Sequence, residues 1–234
     1  MLNAAFTLVQ NDMVILNLWL SYYSKYFDYL VVIGNGTKES YGKLEPLKEK
    51  YDFYFERIDF AGNSESTLDI CKRKQKELLK KYNWVLYCDC DEFIVADPKK
   101  YMDLRVFMDA YPAEKCYCEG FNVLQVENEQ PINFAFPYLS QRKYWSKDID
   151  YNKPLLSKVP LNWAPGCHRE MEIPDTDGKK IADTGLFLLH LKYADLKYKE
   201  PRDLGPTFTN LDHGKITEGM KIKQEIPQNI RRLF

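Results

Sequence analysis

Two carboxylates two positions apart, Asp89 and Asp91, close the aromatic-apolar run Trp84-Val85-Leu86-Tyr87-Cys88, and a third acid, Glu92, follows directly. In extended geometry side chains at i and i+2 point to one side, so Asp89 and Asp91 could reach a single cation. Oxygen ligands suit magnesium or manganese, which commonly share their shell with substrate phosphates. A cation held this way neutralises a departing diphosphate as a bond to it breaks. Asp-x-Asp also arises by chance in surface loops. This copy stands between two apolar runs, the second being Phe93-Ile94-Val95, where carboxylates with neither cation nor basic partner would be costly to bury. The same alternation turns Glu92 away from the pair, where it can orient neighbours.

The elements that deliver this strand end can be read from the preceding residues. Apolar runs at 4–10, 29–33, 53–58 and 84–88 predict strands. Between them lie helices: one capped by Asp12 with an apolar face of Ile15, Leu18, Trp19, Tyr22 and Tyr26, one near 41–51, and one over 68–82 after a polar loop at 61–67. Strands that are apolar throughout, alternating with helices, imply an α/β domain: a mostly parallel sheet with helices on both faces. Ligands of such sheets bind beyond the carboxyl ends of the strands, where these loops gather. Further on, the sequence predicts a helix at 100–110, a strand at 115–125, a long irregular stretch at 128–174 and a last strand at 185–193. The reading is one domain over 1–199, with 200–234 a polar, proline-punctuated arm.

A net charge of −1 argues against a nucleic-acid binder, because phosphate backbones select strongly basic faces. The apolar runs are too short to cross a bilayer, and the first residues lack the basic stretch that precedes a secretory segment. The cysteines, Cys71, Cys88, Cys90, Cys116, Cys118 and Cys167, lack zinc-ribbon spacing and read as reduced, buried residues. The expected location is cytoplasmic.

The run Trp84-Val85-Leu86-Tyr87-Cys88-Asp89-Cys90-Asp91-Glu92-Phe93 resembles the W-x-x-x-x-D-x-D-E-F signature of family-2-like glycosyltransferases with a GT-A fold. The opening is similar too: Gln10-Asn11-Asp12, then Trp19-Leu20-Ser21-Tyr22-Tyr23, then Phe27-Asp28, with Asn11-Asp12 for the family's Asn-Glu and Tyr23 for its histidine. The likeness covers roughly residues 4 to 195. It implies a GT-A-type, Rossmann-like fold and a transferase that moves a sugar from a nucleotide-diphosphate sugar, with a UDP-sugar as the expected donor. The expected acceptor is a glycan, glycolipid or protein, which could bring the chain to the inner face of a membrane. Manganese or magnesium would be the cofactor, at Asp89 and Asp91.

By the same resemblance, Gln10, Asn11, Asn35 and Asp59 match positions that hold the nucleotide, although Asn35 equally suits a left-handed turn. Arg73 or Lys74, on the basic helix, matches a donor-side basic residue, and a solvated face is the competing reading. His190, in Leu188-Leu189-His190-Leu191, matches the histidine that completes the metal shell, and His168, after Trp163-Ala164-Pro165-Gly166-Cys167, matches a loop bordering the active site. Lys153 and Lys158 match a diphosphate-contacting stretch, while Tyr138, Tyr144, Trp145 and Trp163 are either sugar-stacking aromatics or core. His213, in the arm, carries no role. Family members usually invert the anomeric centre, which requires a general base; Glu119, Asp150 and Glu170 are candidates that spacing does not separate. A retaining route needs no such base. Two other readings are weighed: a nucleotidyltransferase, for whose glycine- and lysine-rich phosphate loop Gly34-Asn35-Gly36-Thr37 is too short, and an inactive nucleotide-sugar-binding module, against which the intact Asp89 and Asp91 weigh.

Overall fold

The computed structural model of the chain describes residues 1–10, 12–34, 42–58, 64–126, 128–171, 184–195 and 224–232. Strand β1 (Ala4–Val9) leads into α1 (Met13–Tyr23), whose first turn is closed by the Asp12 carboxylate accepting from the Ile15 amide at 3.2 Å. Then come β2 (Tyr29–Gly34), α2 (Glu45–Lys50), β3 (Tyr54–Arg57), α3 (Ser64–Leu78) and β4 (Val85–Tyr87). Helix α3 starts at Ser64, inside the stretch read as a loop, because serine and glutamate suit a first helical turn as well as a coil.

The second half holds β5 (Glu92–Ala96), α4 (Leu104–Ala110), β6 (Lys115–Tyr117), β7 (Glu119–Leu124), β8 (Tyr144–Lys147), β9 (Pro154–Ser157), β10 (Leu186–Tyr193), β11 (Gln224–Glu225) and α5 (Gln228–Arg231). The expected single strand at 115–125 is two strands that enter different sheets, and the stretch expected to be irregular contains β8 and β9. Near the end of the chain, β11 pairs with β8, and Ile226 and Ile230 are buried in the main core.

One sheet has the order β3-β2-β1-β4-β9-β6 and the other β11-β8-β7-β10-β5. Strands β1 to β4 are mutually parallel, as the alternation of strands and helices predicts, whereas β9 joins β4 and β6 antiparallel, so the sheet is mixed. Successive β1 side chains serve opposite layers. Ala5 and Val9 pack with Leu16, Trp19 and Leu20 of α1, and Ala4 and Phe6 pack with Ile70, Cys71 and Leu78 of α3. Helices therefore cover both faces of the first sheet. The chain steps outward from β1 to β3 and returns to β4 on the other side of β1, so the order reverses between β1 and β4. In open α/β sheets a reversal of this kind opens a crevice at the carboxyl edge, the edge from which Asp89 and Asp91 emerge. No helix among the described residues is long and apolar enough to cross a membrane.

Candidate active site

The acids lie on the crossing from one sheet to the other, and α1 holds that crossing in place. Strand β5 is the edge of its sheet, so its outward backbone groups need partners. Helix α1 supplies them. The Tyr22 hydroxyl donates to the Ile94 carbonyl at 2.8 Å, while the Tyr23 hydroxyl donates to the Glu92 carbonyl at 3.1 Å and accepts from the Ile94 amide at 2.9 Å. Trp19 Nε1 meets the Cys88 sulfur at 3.3 Å. The aromatic cluster of α1 thus fixes both ends of the acidic segment, and Tyr23 does so from the position where the resembled family has histidine.

Between those ends the backbone is not extended. The Glu92 amide donates to the Asp89 carbonyl at 3.0 Å, closing a tight turn. A chain leaving one sheet for another has to bend here, so the turn, and not strand alternation, aims the side chains. Asp89 Oδ1 accepts from the Tyr87 hydroxyl at 2.8 Å, whereas Asp91 Oδ2 lies 3.6 Å from His190 Nε2. Glu92 points into the protein, where its Oε1 takes the Lys153 ammonium at 2.5 Å and its Oε2 accepts the Asp89 amide at 3.3 Å. Glu92 therefore orients its neighbours, as its place in the sequence suggested.

Lys153 and Glu92 are both buried, at 2% and 1% exposure, so the lysine does not stand open to a diphosphate. Burial, reinforced by Asp89 and Asp91, raises the Glu92 carboxyl above its ordinary value against the pull of Lys153. Burial alone would lower Lys153, but Glu92, Asp89 and Asp91 outweigh it and hold the ammonium charged above the usual lysine range. Three carboxylates thus share one ammonium, leaving a negative surplus that a divalent cation would offset.

His190 belongs to a polar row across the second sheet. It lies opposite Glu92 on β5 and Asn122 on β7, and Asn122 lies opposite Ser146 on β8. All four are buried, and directly opposed residues share a face, so one side of this sheet carries a polar line through apolar surroundings. His190 Nδ1 is 2.8 Å from Asn122 Oδ1, and Asn122 Nδ2 donates to Asp148 Oδ2 at 2.7 Å. The 3-10 turn Ile149–Tyr151 then lays the Tyr151 ring on His190, with centroids 4.1 Å apart and planes 26° from parallel. That approach needs glycine at 120: a Cβ there would come within 2.5 Å of Tyr151 backbone and 2.6 Å of the Asp148 carbonyl.

His168 joins from a second 3-10 turn, Pro165–Cys167, in which Gly166 has φ +82°. Its Nδ1 lies 2.6 Å from the Asp150 carbonyl, and burial, then the nearby Lys153 charge, lowers its pKa.

The structure thus gathers Asp89, Asp91, His190 and His168, with Asp150 reached through its backbone. Gln10 follows β1 at the same edge and is exposed, while Asn11, Asn35 and Asp59 lie outside the described residues. Besides Lys153, three expectations are corrected. Lys74 is buried and pairs with Glu56 at 2.6 Å and Glu77 at 2.8 Å, so it closes α3 onto β3 instead of facing a ligand. Lys158 follows the far end of β9, which runs antiparallel to β4, and rests 4.5 Å from the Trp84 ring centroid. Both Glu170 oxygens are occupied, by Lys115 at 2.7 Å and the Tyr117 hydroxyl at 2.6 Å. Tyr138, Trp145 and Trp163 are buried core and Tyr144 is half-buried on β8, so these aromatics do not form an open stacking platform. Arg73 is exposed on α3, and Glu119 pairs with Lys147. The 200–234 segment, including His213, is described only over 224–232. All six cysteines are free of disulfides, and only Cys90 is not fully buried.

Sequence reasoning missed Asn122 and Tyr151. Asn122 had a signal, a lone amide inside the apolar run Phe121-Asn122-Val123-Leu124; Tyr151 had none. Among the described residues no three His, Cys, Asp or Glu side chains gather closely enough to hold an ion unaided. The 3.6 Å between Asp91 Oδ2 and His190 Nε2 nevertheless suits two donors on one ion, since bonds of about 2.1 Å put donors about 90–120° apart roughly 3.0–3.6 Å from each other. Substrate phosphates commonly complete such a shell. No protein-family model matches the chain, and no curated protein matches it.

Proposed function

We propose that this chain is a metal-dependent glycosyltransferase that moves a sugar from a nucleotide-diphosphate sugar, with uridine diphosphate as the nucleotide, to a carbohydrate or glycoconjugate acceptor. The carrying observation is the pairing of Asp91 with His190 at 3.6 Å, on an acid-rich turn at the edge where strand order reverses. With it goes the reading of the α/β arrangement as a GT-A fold, supported by the order β3-β2-β1-β4 and the acidic turn after β4. Manganese or magnesium would be held by Asp91 and His190, with Asp89 of the same turn as the further acid, and would offset charge on the leaving diphosphate.

The chain's own residues divide the other tasks. Lys153 neutralises Glu92, whose second oxygen anchors the Asp89 amide, so the turn keeps its shape beside excess negative charge. Asp150 is the general base this arrangement favours: the residue is exposed and its carbonyl is tied to His168, whereas Glu170 is occupied and Glu119 is paired. In the inverting displacement the acceptor oxygen forms its bond to the anomeric carbon as the bond to the diphosphate oxygen breaks, and the hydroxyl proton passes to Asp150. A cytoplasmic location, at the inner face of a membrane where the acceptor is a glycolipid, belongs to the same proposal.

The test is to incubate purified protein with a panel of nucleotide sugars, with manganese or with chelator, and to measure released nucleoside diphosphate. Metal-dependent release that is lost in Asp91→Ala, with circular dichroism unchanged, is the expected result. Release of pyrophosphate would indicate a nucleotidyltransferase, and donor binding without turnover a binding module. Undiminished activity in Asp91→Ala would remove the metal assignment.

A further inference from the structure

We infer that Asn122, itself held by Asp148, is a positioning residue that sets the His190 tautomer and presents a bare Nε2 toward Asp91; the inference rests on the reading of His190 as an ion ligand. The reasoning is a chain of donors and acceptors. Asp148 can only accept, and its carboxylate is anchored twice, by Asn122 Nδ2 at 2.7 Å and by the Asp150 amide at 3.0 Å, while its own amide donates to the Gly120 carbonyl at 2.9 Å. The end of the Asn122 amide that faces Asp148 must therefore be the nitrogen, so its oxygen faces His190 Nδ1 at 2.8 Å. An oxygen can only accept there, so the proton sits on Nδ1. In the neutral ring this leaves a lone pair on Nε2, the atom 3.6 Å from Asp91 Oδ2.

Two electron-rich atoms facing each other repel unless something positive lies between them, and this tautomer is the one suited to bind a cation. Tyr151, stacked on the imidazole, removes the remaining freedom by fixing the ring plane. Asn122 is fully buried between the apolar residues Phe121 and Val123, a position where an amide is costly unless its hydrogen-bonding groups are used. Outer partners that fix a histidine in this way typically change metal affinity about 10–100-fold when removed.

In the metal-free, full-length chain labelled with nitrogen-15, long-range proton–nitrogen correlation at pH 8 reads which imidazole nitrogen carries the proton, and His190→Gln identifies the signal. The expected result is the Nδ1–H form in the unaltered protein and a shift toward Nε2–H in Asn122→Ala. Manganese affinity, read from the paramagnetic resonance of free Mn2+, should fall about 10–100-fold in Asn122→Ala. An Nε2–H or doubly protonated His190 in the unaltered protein overturns the inference, as does a tautomer indifferent to Asn122→Ala. The expected tautomer in a protein that binds no Mn2+ would support the positioning role while removing the metal reading under "Proposed function".

Discussion

Replacing Lys153 with methionine should expose how the acidic turn is kept folded. Lys153 and Glu92 meet at 2.5 Å with side chains 3% and 2% exposed, so the substitution strands a carboxylate in the interior, next to Asp89 and Asp91. Removing one partner of a buried ion pair costs about 3–5 kcal/mol. For a chain of this size that corresponds to a melting point lower by roughly 6–20 °C, a large part of ordinary stability. The penalty should depend on pH with a definite sign. The folded state raises the Glu92 carboxyl above its unfolded value, so between those values the native form binds more protons than the unfolded one, and stability falls as pH rises. Losing Lys153 widens that window upward, because the lysine is the largest influence lowering the Glu92 value. The variant should therefore approach the parent protein at acidic pH and separate from it toward neutrality. Thermal melts in chelator for the parent, Lys153→Met, Glu92→Gln and the double variant would measure this. The double variant should recover most of the loss, because a neutral amide can still accept the Asp89 amide. A Lys153→Met protein as stable as its parent at pH 7 to 8, or a double variant no better than the single one, would refute the reasoning.

Three further outcomes follow from the packing. Tyr23→Phe should cost about 1–3 kcal/mol in chemical unfolding, since it strands the Ile94 amide and removes the donor to the Glu92 carbonyl at a buried sheet edge. Gly120→Ala should lower stability and, if folded, alter the His190 ring signals, because its Cβ cannot coexist with Tyr151 and Asp148 where they stand. In the native state one thiol, Cys90, should react quickly with a mild alkylating reagent; Cys71, Cys88, Cys116 and Cys118 are buried and their thiols pushed upward by that burial, so they should react only on unfolding.

The amino-acid sequence alone determined what depends on near neighbours. Apolar runs become β1, β2 and β4 because strands covered on both faces need little else, and Asp12 caps α1 because its carboxylate reaches the third amide onward. The place of Asp89 and Asp91 after β4 is likewise local. What the tertiary structure alone decided depends on partners distant in the chain. It bent residues 89–92 into a turn, because consecutive strands there belong to different sheets, and so sent Asp89 to Tyr87 and Asp91 to His190. It reversed β9 against β4, which carried Lys153 inward to Glu92 and Lys158 to the opposite end, although five positions separate them. It also set Glu92, His190, Asn122 and Ser146 side by side, from four strands whose register no local pattern encodes. Side-chain alternation along a strand is a property of the backbone, whereas register between strands is settled by the packing of the whole core.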